Sequence, residues 1–160
     1  MNPPESDPLR GAREYAFRLL ARRSRTAAEM SQRLRRKGFS EPVAGRCVQR
    51  LLDEGLLDDE SFAREYMDYS REHRPMGRIR LRHELRRRGV DDGLIERVLA
   101  DLTEEDEEIM ARRLLRRRGG IPDEDLPFEQ RQRQMRRLFS YLARRGFSGS
   151  LIRRLLRRGS

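Results

Sequence analysis

The stretch Leu81-Arg82-His83-Glu84-Leu85-Arg86-Arg87-Arg88-Gly89-Val90-Asp91 places apolar side chains eight and four positions before a glycine, another directly after it, and then a capping residue. Two other stretches repeat the pattern: Met30-Ser-Gln-Arg-Leu34-Arg-Arg-Lys-Gly38-Phe39-Ser40 and Leu138-Phe-Ser-Tyr-Leu142-Ala-Arg-Arg-Gly146-Phe147-Ser148. Apolar residues four apart share one helical face. Glycine at the C′ position ends a helix in the left-handed conformation without a Cβ penalty. Basic residues in the last turn complement the negative end of the helix dipole. Phe39, Val90 or Phe147 then folds back, and Ser40, Asp91 or Ser148 caps the next helix. That next helix carries apolar residues five and nine positions after its glycine: Val43 and Cys47, Leu94 and Val98, Leu151 and Leu155. Leu34, Leu85 and Leu142 are equivalent core positions in this register.

Each helix pair has a candidate partner helix upstream. Tyr15, Ala16, Leu19 and Leu20 mark the first, Phe62, Tyr66 and Met67 the second, Ile109, Met110 and Leu114 the third. The unit is three helices, occurring three times, with glycine spacings of 51 and 57 residues. Thr26-x-x-Glu29 forms a capping box, and Thr103 precedes an acidic first turn. Gly119 to Pro127 is a loop inside the third unit. Alternating β-branched patterns are essentially absent. The expected fold is all-α: three tandem three-helix, helix-turn-helix-like repeats over 10–53, 54–102 and 103–160, preceded by a disordered segment 1–9.

Charged residues are 40% of the 160-residue chain and hydrophobic ones 36%, so thin patterned helical layers are favoured over one large core. The net charge of +10 points to a polyanionic partner, a nucleic acid or an assembly on one. Lys37 is the only lysine, and the arginine excess reads equally as function or as the imprint of a GC-rich genome. Cys47 is the sole cysteine, which excludes an intramolecular disulfide and a multi-cysteine metal site; its place in the apolar pattern makes it a core residue. Met1 to Pro8 has no signal-peptide character, and no apolar run approaches the roughly 20 residues of a membrane span, so a cytoplasmic protein with no membrane association is expected.

Residues Glu54-Gly-Leu-Leu-Asp-Asp-Glu-Ser-Phe62-Ala-Arg-Glu-Tyr66 and Gly77-Arg-Ile-Arg-Leu-Arg-His-Glu-Leu85-Arg-Arg-Arg-Gly89-Val90 resemble the central signature of the RecX family, and Arg25 to Phe39, with its Glu29-Met30 pair, resembles the family's first repeat. The resemblance covers residues 12–158 and is strongest from 26 to 100. The family pattern usually has a basic or polar residue where this chain has Ile79. The resemblance implies an elongated, curved row of three-helix repeats. It also implies a monomeric negative regulator in homologous recombination, DNA repair and the SOS response. Its partner would be the RecA recombinase, chiefly the RecA–single-stranded DNA filament, whose ATPase and strand exchange it would inhibit. Non-specific contact with single-stranded and possibly double-stranded DNA is part of that expectation.

The candidate filament- and DNA-binding residues are the basic ends of the middle helices and the arginines between them: Arg35, Arg36, Lys37, Arg78, Arg80, Arg82, Arg86, Arg87, Arg88, Arg144 and Arg145. The competing account is solvated helix ends that complement the dipole. Residues 71–90 hold eight arginines against two glutamates, and 128–160 ten against one, more than dipole compensation needs. The acidic run Asp101 to Glu108 reads as a charged helix start, with contact to a basic filament surface as the alternative. Asp58, Asp59 and Glu60 read as the cap and first turn before Phe62. His73 and His83 lack partners at ligand spacing and read as surface residues; Tyr66, Tyr69 and Tyr141 could stack on bases, although the helical spacing of Tyr66 favours packing. No phosphate loop, triad or nucleotide fingerprint is present, so no enzyme and no cofactor is expected. The rival function is a direct DNA-binding protein with tandem helix-turn-helix units. Against it, residues 91–102, which hold the recognition helix of the second unit, are net acidic.

Overall fold

The structure, a computed structural model, describes residues 7–157. They form nine helices and no strand among the described residues. Repeat 1 holds α1 (Pro8–Leu20), α2 (Ala27–Lys37) and α3 (Glu41–Asp53). Repeat 2 holds α4 (Asp59–Glu72), α5 (Arg78–Arg87) and α6 (Asp92–Leu99). Repeat 3 holds α7 (Glu104–Arg117), α8 (Phe128–Arg144) and α9 (Gly149–Arg157). No described helix is long and apolar enough to cross a membrane.

The caps act as their residue types dictate, with two corrections. Residues 7–9 are not part of a disordered tail. Asp7 accepts from the Leu9 N–H at 3.0 Å and Pro8 opens α1, a cap followed by a preset φ. Residues 1–6 lie outside the described residues. Ser40 holds the cap position of α3 but makes no side-chain cap hydrogen bond. Pro42 stands at the second helical position and lacks one of the two N–H groups such a cap uses. Asp91 and Ser148 do cap, and Thr26 and Thr103 each close a reciprocal box, with Glu29 and Asp106. Gly38, Gly89 and Gly146 take positive φ at the ends of the middle helices, as the repeat requires.

Leu34, Leu85 and Leu142 are fully buried, and Cys47 is a small core residue in the same cluster as Leu34. Of the helix markers, Ile109 is instead half exposed, because Met110 and Ala111 supply the buried face of α7. The apolar side chains fall into two clusters. Repeat 1 has its own, from Leu9 to Leu57; repeats 2 and 3 share one, from Phe62 to Leu156.

The middle helices α8, α5 and α2 meet end to end. Gly77 caps α5 without a side chain, yet three of the four donors at the start of α5 find acceptors on repeat 3. The Gly77 N–H donates to the Arg145 carbonyl at 2.8 Å, the Arg78 N–H to the Glu107 carboxylate at 2.8 Å and the Ile79 N–H to the Gly146 carbonyl at 3.2 Å. At the other end of α5, the Thr26 hydroxyl donates to the Arg88 carbonyl at 2.6 Å while accepting from the Glu29 N–H at 3.1 Å. The Ala27 N–H donates to Asp59 at 2.9 Å. The backbones touch so closely that a Cβ on Gly77 would lie 2.3 Å from the Gly146 carbonyl oxygen.

Gly77→Ala is therefore expected to lower stability by roughly 1–3 kcal/mol, since backbone rather than a flexible side chain must move. Gly45→Ala, in the exposed interior of α3 with nothing within 4 Å, is expected to be neutral or to stabilise by about 0.4–1 kcal/mol. Thermal melting of the two variants checks this; equal melting would contradict the close junction.

Candidate functional site

The sequence-selected basic residues divide into those that fasten helices together, within or between repeats, and those left facing solvent. Arg88 belongs to the first group. It sits over the Tyr66 ring at 4.9 Å and pairs with Glu29 across the repeat boundary at 3.1 Å. Burial works against its charge, but Tyr66 and Glu29 outweigh that and hold its pKa above the ordinary value. Tyr66 packs, half buried, as its spacing implied. Arg78 donates to the Leu102 carbonyl and lies 3.5 Å from the buried Glu107 carboxylate. Arg82 grips Glu96 of α6 at 2.5 and 3.1 Å, and this pairing holds the Glu96 carboxyl below the usual range. Arg86 pairs with Asp92 at 2.8 Å but stays exposed.

The acidic run is a helix start that also joins repeats 2 and 3. Asp106 takes Arg71 at 3.0 Å besides capping α7, and Glu107 receives the start of α5, while Asp101 pairs with Arg64 at 2.5 Å inside repeat 2. At the boundary of repeats 1 and 2, burial pushes the Asp59 carboxyl up against the opposing hydrogen bond from the Ala27 N–H. Burial also lowers the pKa of Arg25, whose Nε and Nη1 are buried without a hydrogen-bond partner.

The solvent-facing set lies at or near the ends of the middle helices. Arg35 and Arg36 are exposed at the end of α2, and Lys37 lies over the Tyr15 ring at 5.6 Å. Arg87 and Arg144 are exposed, and neither side chain makes a hydrogen bond or ion pair with another described residue. Both line a groove of about 460 Å³ over the α5–α8 junction, with Ile79, Arg80, His83 and Ala143. Arg80 lies across the junction, donating to the Arg144 carbonyl at 3.3 Å. Arg145 rests over Tyr141 at 5.6 Å. Ile79 is 54% exposed and lines this groove as an apolar residue among the arginines. Its part in the groove was not evident in the sequence, because it depends on which helix end meets α5. His83 is a surface residue here, and His73 stacks on the exposed Tyr69 at 4.6 Å. Among the described residues no group of three His, Cys, Asp or Glu side chains is placed to hold a metal ion.

Three consecutive three-helix units define a tandem helical-repeat protein. Family models of the first, second and third three-helix domains of RecX match residues 12–51, 58–99 and 105–156. The regulatory protein RecX of Mycobacterium sp. (strain KMS) is 42% identical over 156 residues, covering 92% of this chain and 82% of the relative. That of Amycolatopsis mediterranei (strain U-32) is 38% identical over 149 residues, covering 93% and 82%. The chain belongs to the RecX family of regulatory proteins. The crystal structure of RecX from Lactobacillus salivarius superposes with a TM-score of 0.79 over 96% of this chain and 97% of that one; at 20% identity it speaks for the fold alone.

The division of arginines has a direct consequence. Arg88→Ala leaves Glu29 short of a partner at the repeat boundary and is expected to cost about 1–3 kcal/mol. Arg87→Ala, one residue earlier, is expected to change stability by no more than about 0.5 kcal/mol. Denaturant unfolding of both checks this, and equal losses would show that the two arginines share one role.

Proposed function

We propose that this chain binds the RecA–single-stranded DNA filament and inhibits its ATPase and strand exchange. The observation that carries the reading is the recurrence of basic residues at the C-terminal ends of α2, α5 and α8. The ten residues of α5 rise about 15 Å, and the α5–α8 groove follows that helix from Ile79 and Arg80 at its start to Arg87 in its basic last turn. A scaffold that repeats its charge suits a partner that repeats its binding surface. Contacts of modest strength along such a row combine through effective concentration. Held across neighbouring recombinase subunits, the row would hinder the motion coupled to ATP hydrolysis and obstruct entry of a second DNA. Arg35, Arg36, Lys37, Arg80, Arg87, Arg144 and Arg145 are the residues assigned to filament or DNA contact in this reading. Arg86 is a secondary contributor, while Arg78, Arg82 and Arg88 act by fixing the scaffold. The acting form is a cytoplasmic monomer without a cofactor.

The rival reading, sequence-specific DNA binding through helix-turn-helix units, is weakened by α6. The recognition helix of repeat 2 presents Asp92 and Glu96, which are engaged by Arg86 and Arg82 of its own repeat. Carboxylates on that surface oppose entry into a groove lined by phosphates.

Two measurements test the proposal. Substoichiometric protein added to a preformed RecA–single-stranded DNA filament is expected to slow ATP hydrolysis; an unchanged rate at equimolar protein would overturn the regulator reading. In a salt series, bare single-strand binding is expected to weaken steeply and filament binding to persist. The variant with Arg35, Arg36, Arg87 and Arg144 all changed to Gln is expected to flatten the bare-strand salt dependence by about 0.7 in log–log slope for each arginine that contacts phosphate. Tighter binding to one particular bare duplex, with no gain from the recombinase, would favour the rival.

A further inference from the structure

α8 spans 17 residues, Phe128–Arg144, yet Leu142 is its only buried residue. Its first three turns form a stripe. Phe128, Arg131, Gln132, Met135, Arg136 and Phe139 fall at positions i, i+3, i+4, i+7, i+8 and i+11, one face of a helix. With Leu156 of α9 they line a groove of about 380 Å³. Met135 and Phe139 pack half buried against the core and make its floor, while Phe128 is 74% exposed, the most of any large apolar side chain described. The stripe from 128 to 139 is about 17 Å long, the reach of three helical turns. It shares no residue with the basic groove at the α5–α8 junction.

Charge narrows what can cover this face. α8 carries five arginines against Glu129, and Arg153, Arg154 and Arg157 stand on α9; of these, Arg131 already faces Glu124 at 3.9 Å and Arg154 faces Glu104 and Glu108 at 3.8 and 3.7 Å, which leaves the rim a net positive charge. Two copies of the chain placed face to face here would oppose like charges. A nucleic acid would meet the arginines but leave Met135, Phe139 and Leu156 without an apolar partner. An amphipathic helix with an acidic flank satisfies both the floor and the rim, since helix-in-groove recognition seats apolar anchors at i, i+4 and i+7.

We propose that this groove is a docking site for an acidic amphipathic helix of a partner protein, with its apolar residues on Phe128, Met135, Phe139 and Leu156 and its carboxylates toward Arg136. The inference is independent of the filament reading and survives if that reading fails. The test uses the full chain and a labelled synthetic peptide of about 16 residues, glutamate-rich with leucine at i, i+4, i+7 and i+11, long enough for more than three turns. Anisotropy is expected to show binding at least about tenfold tighter than that of a scrambled peptide of equal composition. Phe128→Ser, at a position too exposed to threaten folding, and Arg136→Gln are each expected to weaken the peptide about tenfold while leaving single-stranded oligonucleotide binding within about threefold. Four results would overturn the proposal. The scrambled peptide could bind equally, leaving charge alone as the cause. Phe128→Ser could leave peptide binding unchanged, placing the peptide elsewhere. The oligonucleotide could suffer as much as the peptide, making the face a nucleic-acid site. The chain could sediment as a dimer that Phe128→Ser dissociates, making the occupant a second copy.

Discussion

The main-chain N–H groups of Gly77 and Ile79 donate to the carbonyls of Arg145 and Gly146, and the rest of the molecule is arranged around that contact. A helix leaves donors unsatisfied at its start and acceptors at its end. Here the end of α8 serves the start of α5, and the end of α5 is served by Thr26 at the start of α2. The dipoles run head to tail, so each junction joins a positive end to a negative one. This works only where backbones approach without a Cβ between them. A Cβ on Gly77 would meet Gly146, and one on Gly89 would lie 2.3 Å from the Ala28 Cβ. The basic residues that end α8 and α5 consequently collect at the joints.

The two joints differ in kind. Repeats 2 and 3 share an apolar core, so the α5–α8 joint is backed by burial. Repeat 1 keeps a separate core, and polar contacts bring it to repeat 2: Thr26 with the Arg88 carbonyl, Arg88 with Glu29, Ala27 with Asp59 and Ser24 with Glu65. Such contacts fix direction closely but add little hydrophobic stabilisation. The same surface that orients repeat 1 therefore also marks where the molecule divides into units of different cohesion.

Much of this was legible in the sequence because it is local. The period of the apolar residues, the glycine after each basic turn and the Thr26–Glu29 box each act within a few residues, and they yielded the helices, the repeat register and the buried leucines. The cap at Asp7-Pro8 was equally local but was absorbed into a polar terminus. What escaped was non-local. Gly146 was readable as a helix stop, not as the acceptor for a helix that begins at residue 78. Arg86, Arg87 and Arg88 are identical in type, yet Arg88 meets Tyr66 and Glu29, Arg86 meets Asp92, and Arg87 faces solvent. Only the arrangement of the repeats separates them. Of the candidate set, the sequence supplied the residue types and the structure divided the labour among them.

Amide hydrogen exchange at α5 tests the end-to-end column most directly. First-turn amides of a helix ordinarily have no main-chain partner, and Glu129 and Gln130 of α8, which lacks a side-chain cap, provide the internal comparison. The account requires Gly77 and Ile79 to exchange slowly, on the scale of the Leu81 and Leu85 amides inside the same helix. If Gly77 and Ile79 exchange as fast as Glu129 and Gln130, the helices do not abut, and the basic residues do not share one scaffold.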